Sequence, residues 1–287
     1  MLYGQLYRHT ELAGRAQSTT TNYGRCLARM ALHFNCSPIE LDTEQVLDYL
    51  LYCKNQHKTP SESLGPTPRF KHTVYGLRLV YRLNDMDERR ISLPSIERPK
   101  KLPVVLSQSE VRLLIATPKL LKHRVLLAML YGCGLRCAEL CNICLSDLCF
   151  ERKQLHIKQG KGRKDRYVPL ADLLIRGLQQ YIQAEHPTTW LFNAKNAEGE
   201  KKPLTPRGVQ WIVREAKKHS GIDKQVTTHS LRHTYATHLL EMGLDILSLK
   251  EALGHATIQT TMVYLHVAQM EKRNAFSPLE YLYTVSR

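Results

Sequence analysis

The chain has 287 residues, 43% apolar and 23% charged, the balance of a globular protein with enough length for two separate cores. Forty-one Lys and Arg against 26 Asp and Glu leave a net charge of +15, an excess that repels itself in a compact fold and points to a polyanionic partner, nucleic acid first. The start MLYGQLYRHTELAGR has no apolar run of the kind an export signal needs. The longest apolar stretch, 125–135, is short and broken by glycine, so the expectation is a cytoplasmic protein with no membrane partner.

In chain order, the first ninety residues read as helices. Over 18–34 the 3.6-residue period puts Tyr23, Leu27, Met30, Ala31 and Phe34 on one face, with Ser18–Thr21 as cap candidates. A second helix follows over 43–53, and a third over 69–83 buries Phe70, Val74, Leu77 and Tyr81. Arg25, Arg29, Arg69, Lys71, Arg78 and Arg82 cluster on these helices and are candidate DNA contacts. Residues 92–106 carry Pro94, Pro99 and Pro103 without a sustained period, which predicts an extended linker between a domain over 1–91 and another over 107–287. The second domain opens on a capping box, Ser107 to Glu110.

Residues 153–170 alternate at period two around a glycine-rich tip, a β-hairpin carrying Lys158, Lys161, Arg163, Lys164 and Arg166 as further candidate DNA contacts. Helices are expected at 172–183 and 206–219, separated by a loop. Three closely joined helices follow at 229–242, 245–253 and 257–269, the first two closed by Gly243 and Gly254. In the last of them Met262, Val263 and Leu265 form the expected core face. The result is a mainly α chain with a small β insertion.

Eight cysteines in a chain of this length, without an export signal, do not require a disulfide framework. Cys133, Cys137, Cys141 and Cys144 have helical spacing along one stripe, which suits small buried hydrophobes better than the paired ligands of a zinc site. His229 and His233 stand i, i+4, but Ser230 occupies the place where a metalloprotease needs glutamate, so no metal is expected. What remains is a polar set that a core pattern does not demand: Arg136, Lys161, His229, Arg232, His255 and Tyr264. Each has an ordinary reading alone; Arg136, for instance, can pair with Glu139 one turn on. Together they offer two planar forks for phosphate oxygens, a lysine able to protonate a leaving oxygen, and one plausible nucleophile.

The segments GLRCAEL, GKGRKDRYVPL, HSLRHTYATHLL and LGHATIQTTMVYLHV resemble the signature boxes of the tyrosine recombinases, the phage integrase family. The resemblance covers nearly the whole chain and implies a two-domain, C-shaped DNA clamp: a helical, SAM-like core-binding domain joined to an α+β catalytic domain. Carried over position by position, it makes Arg136 and Arg232 the phosphate clamp, Lys161 the general acid and Tyr264 the nucleophile. It makes His229 an aid to proton transfer from the nucleophile, and His255 a hydrogen-bond partner of the scissile phosphate. Ala138 departs from the Ser or Gly that many members carry there, without touching these assignments.

The resemblance further implies site-specific strand exchange through a 3′-phosphotyrosyl bond and a Holliday junction, in a tetrameric synapse on two DNA sites, with no cofactor. The compact length is similar to Xer-type and mobile-element integrases. The tail over 271–287, with Phe276, Leu279 and Tyr281, either docks on a neighbouring subunit or packs on its own. Two rivals share the fold or the chemistry: a DNA-binding protein without catalysis, and a type IB topoisomerase or telomere resolvase.

Overall fold

Helices account for most of the structure, a computed structural model that describes residues 2–55, 67–96, 102–158, 165–195 and 199–268. The chain divides into two compact units, Met1–Lys101 and Leu102–Arg287. The expectation of a mainly helical chain with a small β component holds.

The first unit contains α1 (Leu2–Leu12), α2 (Gln17–Phe34), α3 (Thr43–Asn55), α4 (Pro68–Leu83) and the short α5 (Asp87–Ser92). Its core joins Leu6, Leu27, Met30, Tyr49, Leu50, Val74 and Leu77, the apolar faces that the 3.6-residue period places together. α1 and α5 are not anticipated by the sequence reading. α1 packs on α2 through a buried hydrogen bond from Thr20 Oγ1 to Thr10 Oγ1 (2.6 Å), so Thr20 is interior rather than a cap. The N-cap of α2 is Ala16, without a side-chain cap, which corrects the expectation for Ser18–Thr21. Thr67 caps α4, its hydroxyl accepting from the Phe70 amide at 3.2 Å, with Pro68 at the first helical position where a missing N–H does no harm.

The second unit opens with α6 (Gln108–Ala116), and the Ser107–Glu110 capping box is present: the Glu110 amide donates to Ser107 Oγ and the Ser107 amide donates to Glu110 Oε2. Next come α7 (Leu121–Gly132) and the five-residue α8 (Cys137–Cys141). The four cysteines therefore do not share one helix, a correction with a clear cause: α7 stops before Cys133 and Gly134 turns the chain at φ 56°. Cys133 and Cys141 are buried, and Cys137 and Cys144 half-buried.

A three-stranded antiparallel sheet follows, β1 (Leu148–Cys149), β2 (Gln154–Ile157) and β3 (Arg166–Pro169), with Leu155 opposite Val168 and Ile157 opposite Arg166. β2 and β3 are the expected hairpin; its tip, with Lys161, Arg163 and Lys164, lies outside the described residues. After α9 (Asp172–Glu185), the segment expected as a loop contains a second hairpin, β4 (Asn193–Lys195) and β5 (Lys201–Pro203). Strands this short carry too little alternation to register as a pattern.

The unit ends with α10 (Pro206–Ser220), α11 (Thr228–Glu241), α12 (Ile246–Leu253) and the four-residue α13 (Gln259–Met262), which tightens into a 3-10 turn over Val263–His266. α11 is buried around most of its circumference, from Thr228 and Ser230 through Arg232, Thr234 and His238, so it runs through the interior. The chain entering the unit is tied to it: the Leu106 amide donates to Thr234 Oγ1 and His238 Nε2 meets the Leu106 carbonyl, each at 3.0 Å. Gly243 and Gly254 close α11 and α12 in Schellman-type turns, Gly254 with φ 60° and its follower His255 donating its amide back to the Lys250 carbonyl. The tail over 271–287 lies outside the described residues.

Gly134 is a position where only glycine fits. Its φ is positive, and a Cβ there would stand 2.3 Å from the Tyr235 ring on α11. Gly134→Ala is expected to destabilise the second unit by about 1–3 kcal/mol, the usual range for overpacking, read as a lower urea midpoint.

Candidate active site

Four elements bring the candidate residues to one cleft. Arg136 is the N-cap of α8, held in extended backbone (φ −75°, ψ 152°) by the Gly134 turn. Arg232 and His233 project from the buried helix α11, and His229 sits a turn earlier on its exposed rim. His255 follows the Gly254 turn, and Tyr264 lies in the 3-10 turn. The cleft, of about 510 Å³, is lined by Arg136, His229, Arg232, His233, His255 and Tyr264.

Beneath the cleft one carboxylate gathers three guanidinium groups. Glu139 Oε1 accepts from Arg136 Nη1 at 2.6 Å and from Arg166 Nη1 at 2.9 Å. Oε2 accepts from Arg166 Nη2 and from the Arg136 amide, each at 2.8 Å, and lies 3.7 Å from Arg232 Nη1. Burial works against the ionised carboxyl, but Arg166 and Arg136 overcome it and hold the group down at about 2. The pairing of Arg136 with Glu139 is the one an i, i+3 spacing predicts, yet here it belongs to a buried cluster and not to a solvated helix face.

Arg166 corrects a sequence expectation. Its side chain is 8% exposed, paired with both Glu139 oxygens, with Nε donating to the Ala252 carbonyl, so it supports the cleft and does not face a groove. Arg232 is fixed as firmly: Nη1 donates to the Gly134 carbonyl at 2.6 Å and Nη2 to the Leu253 carbonyl at 2.5 Å. Burial, with the charge of Arg136 beside it, lowers its guanidinium to about 10, still protonated at neutral pH. Arg136 Nη2 reaches the Gly254 carbonyl at 3.4 Å, so both turn glycines supply carbonyls to the arginines.

Tyr264 is 3% exposed, while Met262 and Val263 are 46% and 43% exposed. The expected core face is therefore corrected: of the three apolar neighbours only Leu265 packs inward. The tightening from α-helix to 3-10 after Met262 changes the angle per residue and turns the tyrosine to the interior. Burial raises the phenol above its ordinary value, with Arg232 and Arg136 pulling the other way. The hydroxyl stands 3.1 Å from His233 Nδ1. His255 stacks on the Tyr264 ring (12°, centroids 6.3 Å), and its Nδ1 is 2.9 Å from Oγ1 of the fully buried Thr261. The histidine touching the phenol is thus His233, and His229 stacks on His233 with centroids 6.5 Å apart.

The remaining basic candidates are scattered over both units. Arg25, Arg29 and Arg82 are exposed, the last beside His9 at 3.0 Å, and Lys71 is half-buried. Arg69 donates to the Tyr49 hydroxyl at 3.1 Å, and Arg78 to the Pro94 carbonyl at 2.9 Å. Lys158 pairs with the buried Asp147. Lys161, Arg163 and Lys164 fall outside the described residues. Missed from the sequence were Glu139 as a hub, Arg166 as its partner, His233, Thr261 and a second groove. That groove, of about 770 Å³, shares His229 with the cleft and runs past Arg214, Lys217 and Lys218 of α10. The run REAKKH was a readable signal for it. Among the described residues no group of three or more His, Cys, Asp or Glu is placed to hold a metal, and no helix is long and apolar enough to cross a membrane.

Residues 104–271 match the model of the phage integrase family. The tyrosine recombinase XerA of Pyrococcus horikoshii is 30% identical over 277 residues, 96% of this chain and 93% of its own length. The crystal structure of a XerA recombinase is similar with a TM-score of 0.53 at 26% identity, covering 99% of this chain and 96% of that one. XerH site-specific recombinase, solved bound to its palindromic difH substrate after cleavage, has a TM-score of 0.67 at 20% identity, over 93% of this chain and 82% of that one.

Removing the hub carboxylate leaves buried guanidinium groups uncompensated, so Glu139→Ala is expected to lose about 3–5 kcal/mol at pH 7. Because the folded carboxyl sits near 2, below its ordinary 4.5, its contribution is complete above pH 4.5 and fades as pH falls toward 2. Urea titrations of both proteins across that window should show the gap closing on acidification; a constant gap contradicts the assignment.

Proposed function

The chain belongs to the phage integrase family and is a tyrosine recombinase, an enzyme of site-specific recombination, and from that membership we propose that it cuts and rejoins duplex DNA through a covalent link to Tyr264. The observation carrying this reading is the convergence of Arg136, Arg232, His255 and Tyr264 on one cleft, with the two guanidiniums held from behind by Glu139.

A phosphodiester entering the cleft meets preorganised positive charge, which stabilises the pentacoordinate phosphorane more than the ground state. Tyr264 attacks phosphorus, its phenolic proton leaves, and the 5′-oxygen departs with a proton from Lys161. The product is a 3′-phosphotyrosyl bond and a free 5′-hydroxyl. A 5′-hydroxyl from a partner strand reverses the step, and exchange of one strand pair passes through a Holliday junction. The bond energy is held in the protein–DNA linkage throughout. His255 donates to a non-bridging oxygen, and His229 assists proton transfer from the rim.

Residues 107–287 serve as the catalytic domain and 1–91 as the core-binding domain, with 92–106 as the linker. Four copies assemble on two sites, and the tail over 271–287 is a candidate for exchange between them. Phosphate contacts come from Arg25, Arg29, Lys71 and Arg82 and from the α10 groove beside His229, where Arg214, Lys217 and Lys218 lie. Charge of this kind positions the duplex without reading its bases.

A nicked suicide substrate tests the reading. The wild-type protein should give a covalent adduct on a denaturing gel, and Tyr264→Phe should abolish it while DNA binding survives; an adduct from the variant sinks the nucleophile assignment. Lys161→Ala should slow cleavage by about 10²–10⁴-fold, the usual worth of a general acid. A bridging 5′-phosphorothiolate, whose sulfur leaves without a proton, should restore the rate, and no rescue removes Lys161 from the acid role. DNA affinity should fall steeply between about 50 and 200 mM salt.

A further inference from the structure

The scheme above has His229 assist proton transfer from the rim, but it names no group that receives the phenolic proton and gives no role to the contact between Tyr264 and His233. The geometry is specific. His233 Nδ1 lies 3.1 Å from the phenol oxygen, and the two rings meet at 53° with centroids 5.6 Å apart. His229 lies on the exposed rim and meets His233 ring to ring.

We propose that His233 accepts the phenolic proton of Tyr264 during strand cleavage, and that the bound DNA phosphate switches this base on. The proposal rests on Tyr264 being the nucleophile. With its proton directed at Nδ1, the phenol oxygen keeps its lone pairs for the side where Arg136 and Arg232 line the cleft. As the oxygen–phosphorus bond forms, the O–H bond breaks and the proton passes to His233, which becomes an imidazolium. The 5′-oxygen leaves with the electrons of its bond to phosphorus and takes its own proton from Lys161. Phosphorus gains one ester oxygen and loses another, so no further reactant is needed.

Charge explains the switch. His233 faces His229 and Arg232 from its own helix and Tyr264 from the 3-10 turn, while Arg136 and His255 line the same cleft. In the free protein, burial first and then His229 and Arg232 hold the imidazole down at about 4, so it is neutral and too weak a base for a phenol that is itself raised by burial. A phosphate anion between the guanidiniums offsets the positive charge that suppresses the imidazolium. Basicity at His233 then rises only where a scissile phosphate is seated, which confines activation of the nucleophile to the DNA complex.

Two measurements decide the matter. His233→Asn keeps a hydrogen-bond acceptor but no base. In single-turnover cleavage of the suicide substrate it should fall by about 10²–10⁴-fold and recover as pH rises, because hydroxide replaces the missing base. His229→Ala should lose less and keep the wild-type pH profile. Cleavage by His233→Asn within about threefold of wild type, with an unchanged profile, overturns the proposal. The second measurement leaves His233 intact and so does not depend on how that variant folds. In ¹⁵N-labelled Tyr264→Phe protein, the His233 titration should move up by about one pH unit or more when duplex site DNA binds. No movement overturns the DNA switch. If Tyr264→Phe still forms the adduct, the nucleophile reading itself fails; if that variant is dead and His233→Asn is normal, only the role of His233 fails.

Discussion

The arginines of the cleft hang on the carboxylate of Glu139. A buried carboxylate shared by Arg136, Arg166 and Arg232 ties together α8, β3 and α11, elements far apart in the chain. Such a cluster contributes little net stability compared with a well-packed apolar core, but removing one partner strands the others. Its value is geometric. Arg136 and Arg232 have few ways to reorient, because each also donates to backbone carbonyls, those of Gly134, Leu253 and Gly254. Under the proposed mechanism, guanidiniums held from behind in this way need not reorganise when charge develops on a phosphate.

The cluster is also unbalanced, since three guanidiniums surround one carboxylate. Positive charge adds to burial in lowering Arg232 and His233, and pulls against the upward shift that burial gives Tyr264. Burial is the larger cause of all three shifts, and the charge is the secondary one. Under the proposed function, the net charge of +15 draws a polyanion at long range and the local excess holds a single phosphate. Salt screens the first much more than the second.

Glycine sets the backbone on which this rests. Gly134 turns the chain so that Arg136 caps α8 and its own carbonyl meets Arg232, and Gly254 ends α12 so that His255 faces the cleft. A Cβ on Gly134 would meet the ring of Tyr235, and one on Gly254 would stand 3.1 Å from Arg166 Cδ. Gly134 of GCGLR and Gly254 of LGH are therefore part of the site, as the close approach of neighbouring side chains and the positive φ both require.

The order of amino acids alone carries the helical character of the chain, the β2–β3 hairpin, the Ser107 capping box, the closing glycines and the polar residues that stand apart from the apolar pattern. Each is a local pattern, written in a few neighbouring residues, and the order of the boxes was enough to suggest the family. Tertiary structure decided the rest. Arg166 is twenty-seven positions from Glu139, and its burial follows from β3 crossing toward α12, which no spacing records. His233 and Tyr264 meet across thirty-one positions. The inward turn of Tyr264 depends on a change from 3.6 to about 3 residues per turn after Met262, the point where a periodicity argument loses its phase. Local patterns name the residues, but which of two histidines touches a phenol, and which arginines line the cleft, is settled only by the packing that brings distant segments together.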